Sequence, residues 1–217
     1  MSDQSTLFER RLGLMDGADP AAPLLINLGA GPAGAARMPS YFEGWRELRV
    51  DVDPEARPDI VADLTDLSQI APDSGDVVWA SHCIEHLFQH EVGPALREIR
   101  RILSPNGFAC VRVPDLQTVA AYIAQDRLHE VIYTSNAGPI TAHDVIFGFG
   151  ADVAQGRHTM AHRTGFTPTV LVNALREGGF ETFLIRRTDA LELVALITKT
   201  AFASDAEPAR LLDALGL

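Results

Sequence analysis

The stretch Leu24-Leu25-Ile26-Asn27-Leu28-Gly29-Ala30-Gly31-Pro32-Ala33-Gly34 joins an apolar run to a glycine turn, and the next apolar run ends in Asp51-Val52-Asp53-Pro54. A buried strand that empties into such a turn lets backbone approach a ligand where a side chain would collide. A carboxylate about 20 residues further on, at the tip of the following strand, is placed to take both hydroxyls of a ribose. The combination points to a nucleoside cofactor. The G-x-G-x-x-G spacing of Gly29 to Gly34 does not by itself say which: it fits a nicotinamide dinucleotide, S-adenosylmethionine or a plain glycine-rich turn.

Outward from this stretch, strands are expected at 24–28 and 48–52. Asp59-Ile60-Val61-Ala62-Asp63 reads as a short third strand, and Asp76 to Ser81 as a buried fourth. Val92, Leu96, Ile99 and Leu103 then recur at helical spacing, with Arg97, Glu98, Arg100 and Arg101 on the other face and Pro94 suited to a first turn. Ser104-Pro105-Asn106-Gly107 stops that helix before a fifth strand, Phe108 to Val113. Strands and helices alternating at these lengths predict a doubly wound, mostly parallel α/β sheet with helices on both faces.

Residues 115–165 break the pattern. A helix from Leu116 to about Arg127 leads into an irregular stretch, long for a connection and expected to act as a lid or substrate-side insert. A helix at Thr169 to Glu177 follows. The runs Phe180 to Arg187 and Leu191 to Thr198 are close enough in sequence to be antiparallel neighbours. A single domain over 1–217 is expected, with an N-terminal helix (Leu7 to Met15) and linker in 1–22 and a terminal helix in 203–217.

The chain has 217 residues and a net charge of −11. That length can bury a substantial core. Its acidity argues against nucleic acid, whose binders owe most of their affinity to phosphate contacts. Of 18 basic residues only Lys199 is a lysine, so no G-K-[ST] phosphate loop and no Tyr-x-x-x-Lys pair exists. The two cysteines, Cys83 and Cys110, lie in or beside core strands and read as reduced thiols, which predicts a cytoplasmic location. The N-terminus lacks a secretory apolar core, and no apolar run nears the ~20 residues of a membrane span, so no membrane partner is expected.

Five segments in order then decide the cofactor. They are Asn27 to Gly31; Asp51-Val52-Asp53-Pro54; Asp59 to Leu64; Ala80-Ser81-His82-Cys83-Ile84-Glu85-His86-Leu87; and Leu96 to Gly107. The span Leu24 to about Leu116 resembles class I S-adenosylmethionine-dependent methyltransferases, in particular their small type 11-like branch. The resemblance implies a Rossmann-like sheet of seven strands with the last strands antiparallel, and S-adenosylmethionine as cofactor. By position it implies that Gly29 and Gly31, with Asn27 and Ala30 beside them, face the methionine and ribose parts. Asp51 would hold the ribose hydroxyls, with Asp53 the rival claimant and Val52 alongside. Asp63 would accept from the adenine amino group, the Leu64 amide would meet the ring, and Ser81 and His82 would line the floor near the methyl group. Asp63 can alternatively cap the turn that follows it. Two departures stand out: Asn27 replaces an acidic residue of the family, and Pro39 should curtail the first helix.

His82-Cys83-Ile84-Glu85-His86 also fits an H-x-x-E-H zinc pattern. It falls where the family has its own E-H pair, so no metal is expected, and Glu85 and His86 are read as capping and bracing the helix start. His129, His143 and His158 read as solvated. His162, in His162-Arg163-Thr164-Gly165-Phe166-Thr167, is the sharper candidate for a catalytic or acceptor contact, ahead of Tyr133, Asp144 and Arg163. For a hydroxyl acceptor a base is required, and His82 or His162 is the expected one. Transfer to O or N of a small-molecule or sugar-containing acceptor follows from the resemblance, and a homodimer is compatible with it. The alternatives are a nicotinamide-dependent oxidoreductase or epimerase, or a non-catalytic cofactor-binding protein of the same fold.

Overall fold

The computed structural model describes residues 22–34, 38–135 and 138–217. The expected helix at Leu7 to Met15 lies outside them. Strands β1 (Leu24–Leu28), β2 (Arg46–Asp51), β3 (Ile60–Val61), β4 (Gly75–Ser81) and β5 (Leu103–Pro114) are joined by parallel pairings. Strands β8 (Thr182–Arg187) and β9 (Glu192–Thr198) complete a seven-stranded sheet of order β3-β2-β1-β4-β5-β9-β8. β9 runs antiparallel to both β5 and β8. The order reverses between β1 and β4, which makes their carboxyl ends the switch point where such sheets hold ligands.

Helix α1 (Gln89–Ile102) is the one long crossover helix of the parallel half among the described residues. It starts before the periodic stripe, so Pro94 lies inside it rather than in its first turn. The ring leaves the carbonyl of His90 without its helical donor, and His90 is exposed, so water can serve it. The helix start is capped by Glu91, whose carboxylate accepts from the Phe88 N–H at 2.8 Å.

One face of the sheet buries Ile26, Leu28, Val78 and Val111 against Leu96 and Ile99 of α1 and Leu171 and Leu175 of α5 (Pro168–Glu177). The opposite face has no long helix between β1 and β2 among the described residues. A one-turn 3-10 helix, Ser40–Phe42, follows Pro39. Tyr41, Phe42 and Trp45 form an aromatic cluster over Trp79 and Phe108, and Leu211 and Leu212 of the terminal helix α6 (Glu207–Ala214) cover the rest. Flat rings and a helix thus share this face.

The insert is more ordered than expected. It contains α2 (Leu116–Ala124), the hairpin β6 (Val131–Ser135) and β7 (Gly138–Thr141), and short helices α3 (Ala142–Phe147) and α4 (Gly150–Ala154). It builds a small core of its own from Val119, Ile140, Ala142 and Val145.

Candidate active site

Gly29 has φ +65°, and a Cβ there would stand 2.5 Å from the Cβ of Cys83. The turn after β1 can therefore pack against the end of β4 only with glycine. Gly31 is also left-handed, and its N–H donates to Asp51 Oδ2 at 2.7 Å. The second oxygen of Asp51 accepts from the Asp53 N–H at 2.9 Å. Arg49 binds the Gly31 carbonyl through Nη2 and pins the turn to β2. Asp51 is thus oriented by two amides and keeps lone pairs to offer, whereas Asp53 is occupied in capping the 3-10 turn Pro54–Ala56. Val52 beside it is 50% exposed, an apolar side chain at a strand tip.

Asn27 is buried and donates from Nδ2 to Glu47 Oε1 at 2.7 Å. Asp63 Oδ1 accepts from the N–H and hydroxyl of Thr65 at 2.8 and 2.7 Å, so this exposed residue caps its turn. Leu64 and Ser81 are half-buried.

His82 follows β4 directly and lies in the left-handed region, φ +53°, where a non-glycine residue is uncommon. Its ring bridges two carboxylates: Nδ1 stands 3.2 Å from Glu85 Oε1 and Nε2 stands 2.9 Å from Glu192 Oε1. Glu192 in turn accepts from Arg112 Nη2 at 2.6 Å. Burial opposes the charged form of His82, but the two carboxylates outweigh it and push its pKa up to about 9. The imidazolium is therefore the form present at neutral pH, and it has no proton-accepting nitrogen. This argues against His82 as the base.

The H-x-x-E-H pattern does not lie on an α-helix. Ile84–His86 is a single 3-10 turn, so His82 and His86 do not share a helical face. Nor does Glu85 cap α1, which Glu91 does. Its carbonyl accepts the N–H groups of Arg163 and Thr164 at 2.9 and 3.1 Å, docking the end of the insert on this turn. Arg163 also lays its guanidinium over Phe88, 4.8 Å from the ring centre. His162 then meets His86, with ring centres 4.9 Å apart at 69°. Its approach depends on Gly148, φ +93°, where a Cβ would lie 2.1 Å from the Met160 carbonyl oxygen. His162 Nδ1 is 2.9 Å from the Val145 carbonyl oxygen, which can only accept, so Nε2 carries the lone pair. Burial, its largest influence, lowers the pKa of His162.

A cavity of about 190 Å³ lies between the strand ends and the insert, lined by His82, His86, Tyr133, Asp144, His162 and Glu192 among others. Asp144 is committed to capping α3, accepting from Thr141 and from the Gly150 N–H. His129 and His143 stack on each other 5.2 Å apart, and His158 is exposed. Glu192 and Arg112 escaped the sequence reading. Their signal was a lone charge in each of two apolar strands, Glu192 opening ELVALIT and Arg112 within FACVRVP.

The residues fit S-adenosylmethionine. Two left-handed glycines, a carboxylate aligned by amides and an exposed apolar side chain converge at the switch point. No curated protein sequence matches the chain. Its fold is similar to that of the PH0226 protein from Pyrococcus horikoshii OT3, at 14% identity and TM-score 0.55 over 92% of each chain. It is also similar to a SAM-dependent methyltransferase from Archaeoglobus fulgidus, at 13% identity and TM-score 0.54, covering 91% of this chain and 95% of that one. A third, from Mesorhizobium loti, has 18% identity and TM-score 0.51, with 88% and 97% covered. Residues 26–111, which carry the glycine turn, Asp51, Asp63 and the β4 end, match the model of a family described as methyltransferase domain. Over residues 26–111 the chain is thus similar to a methyltransferase-domain family, and its fold is that of S-adenosylmethionine-dependent methyltransferases.

Proposed function

We propose that this enzyme transfers the methyl group of S-adenosylmethionine to oxygen or nitrogen of a small-molecule or sugar-containing acceptor bound under the insert. The observation that carries the acceptor's size is the cavity of about 190 Å³ beside His82 and His162. Sites for drug-sized ligands usually run to about 300–1,000 Å³. The chain acts as one domain, with residues 115–165 as its substrate-side lid. Its acidity and its two buried thiols favour a cytoplasmic enzyme of small molecules over one of nucleic acid. Among the described residues no helix is long and apolar enough to cross a membrane.

In this reading Gly29, Ala30 and Gly31 give the cofactor backbone to lie against, with Asn27 beneath the turn. Asp51 takes the ribose hydroxyls, Val52 offers apolar surface to the base, and Asp63 with the Leu64 amide meets the adenine edge. Ser81 and His82 form the floor. The cofactor supplies an electrophilic methyl on a sulfonium centre. The protein's part is to hold the acceptor in line with it and to keep water out. Both ring nitrogens of His82 are engaged by carboxylates, so it is a positioning residue that ties β4, the following turn and β9 together. His162 is the residue that faces the acceptor, through Nε2.

Calorimetric titration with S-adenosylhomocysteine and with NADH tests the cofactor half. The first should bind, and Asp51→Asn should weaken it by about 10- to 100-fold, the worth of charged hydrogen bonds. Binding of NADH alone would overturn the assignment. An acceptor library with labelled methyl donor tests the other half. His162→Ala should lower turnover with homocysteine-nucleoside affinity retained, and undiminished rates in both His82→Ala and His162→Ala would remove the histidines from the reaction.

A further inference from the structure

We propose that Glu85, His86 and His162 bind one divalent transition-metal ion of the zinc class at the wall of the acceptor cavity. Each offers one ligand atom, and the three atoms lie within 4.8 Å of one another. They come from two segments that backbone bonds hold together, the Arg163 and Thr164 amides on the Glu85 carbonyl. Two imidazoles with one carboxylate are a recurrent donor set for zinc and for other divalent transition ions with open positions.

Two independent observations point to a ligand here. First, Glu85 is 1% exposed and its Oε2 has no hydrogen-bond partner. A buried carboxylate oxygen left unpaired is costly, and a cation beside it would remove that cost. Second, both histidines turn the same nitrogen to backbone. His86 Nδ1 stands 3.3 Å from the Ala161 carbonyl oxygen and His162 Nδ1 stands 2.9 Å from that of Val145. Carbonyls only accept, so each ring donates from Nδ1 and presents Nε2 as a lone pair. Orientation of a ligating histidine by a carbonyl on its other nitrogen is the usual arrangement at protein metal centres.

The first histidine of H-x-x-E-H is not a ligand. His82 spends Nδ1 on Glu85 Oε1 and Nε2 on Glu192, and so fixes the Glu85 carboxylate with Oε2 left over. Zinc–nitrogen bonds of about 2.0–2.1 Å set tetrahedral ligands about 3.3 Å apart. Side-chain rotation by the two histidines closes the difference when the ion enters. With three protein ligands the remaining position is open, and His86 and His162 both line the cavity. On the methyl-transfer reading above, an acceptor oxygen bound there would be held and acidified by the ion.

The test uses the full chain, freed of any affinity tag and stripped with chelator, titrated with Co²⁺ and followed by visible absorption, then competed with Zn²⁺. One equivalent should bind, with absorption bands of a low-coordinate site. His162→Ala and His86→Ala should each weaken binding at least about tenfold, while His158→Ala, in an exposed histidine of the same insert, should not. Circular dichroism checks that each variant is folded, and Glu85→Gln adds the third ligand if it folds. Absence of saturable binding by the parent protein, or equal affinity in the parent and a folded His162→Ala, would overturn the site. S-adenosylhomocysteine affinity is measured on the same samples. Metal binding without it would sink the methyl-transfer reading and leave the metal site; the reverse would sink the metal site alone.

Discussion

The parallel half of the sheet, 24–114, and the insert, 115–165, handle glycine and histidine in opposite ways. In the parallel half Gly29 shapes the mouth of a buried sheet, and His82 is locked between Glu85 and Glu192. In the insert Gly148 lets one loop cross another, and His162 keeps a ring nitrogen for whatever enters the cavity. The first region holds its chemistry rigid through strands packed on both faces. The second rests on a core of a few side chains and on the backbone bonds from 163–164 to Glu85. Cofactor binding should therefore depend on global stability, and acceptor chemistry on docking of the insert.

Gly29→Ala should break the first region outright. Positive φ costs a non-glycine residue about 1–2 kcal/mol, and a Cβ 2.5 Å from that of Cys83 adds overpacking of about 1–3 kcal/mol. Chemical denaturation should show a loss of about 2–5 kcal/mol, together with lost S-adenosylhomocysteine binding. Gly148→Ala should separate the two regions. Its Cβ meets the Met160 carbonyl oxygen at 2.1 Å, so the segment carrying His162 must shift. Displacements near 1 Å cost catalysis about 100-fold, so turnover should fall by that order while cofactor affinity is retained. Equal loss of both would show the regions to be one cooperative unit.

The smallest effect belongs to Glu98 on α1, which accepts from the Leu67 N–H at 2.8 Å and from Arg101 Nε at 2.7 Å. The hydrogen-bonded Arg101 guanidinium holds its carboxyl below the usual range. A group whose folded pKa is depressed contributes stability above its unfolded pKa, and that contribution fades as pH falls through the folded value. Glu98→Gln should lower the thermal midpoint slightly at pH 7, and the gap to the parent should close below about pH 4. Because Glu98 braces the segment that follows Asp63, an effect on S-adenosylhomocysteine affinity without one on the insert would sharpen the contrast.

Much of the parallel half is legible from local rules. The apolar runs, the glycine turn and the alternation of strands predicted β1 and β4 closely, whereas β5 begins at Leu103 and takes in the expected turn at 104–107. Among the described residues only a one-turn 3-10 helix follows Pro39, in line with the short helix it predicted. Helices do lie on both faces, α1 and α5 on one and α6 on the other, but beside α6 Tyr41, Phe42 and Trp45 cover the second face as rings. No periodicity marks such a cluster. Beyond its opening helix, which was expected, the insert was illegible for the opposite reason: its hairpin and short helices are fixed by contacts with one another rather than by a repeating pattern.

The sequence by itself determined the sheet, the turn at Gly29 and the carboxylate at Asp51, since sterics and burial period act over a few residues. It also narrowed the candidate histidines to His82 and His162. Only the tertiary structure distinguished their surroundings. Glu192 lies 110 residues from His82 along the chain and reaches it because β9 returns antiparallel beside β5. His162 reaches His86 because the insert folds back onto the turn after β4. A proton's home and a lone pair's direction depend on such distant partners, and one-dimensional spacing does not encode them.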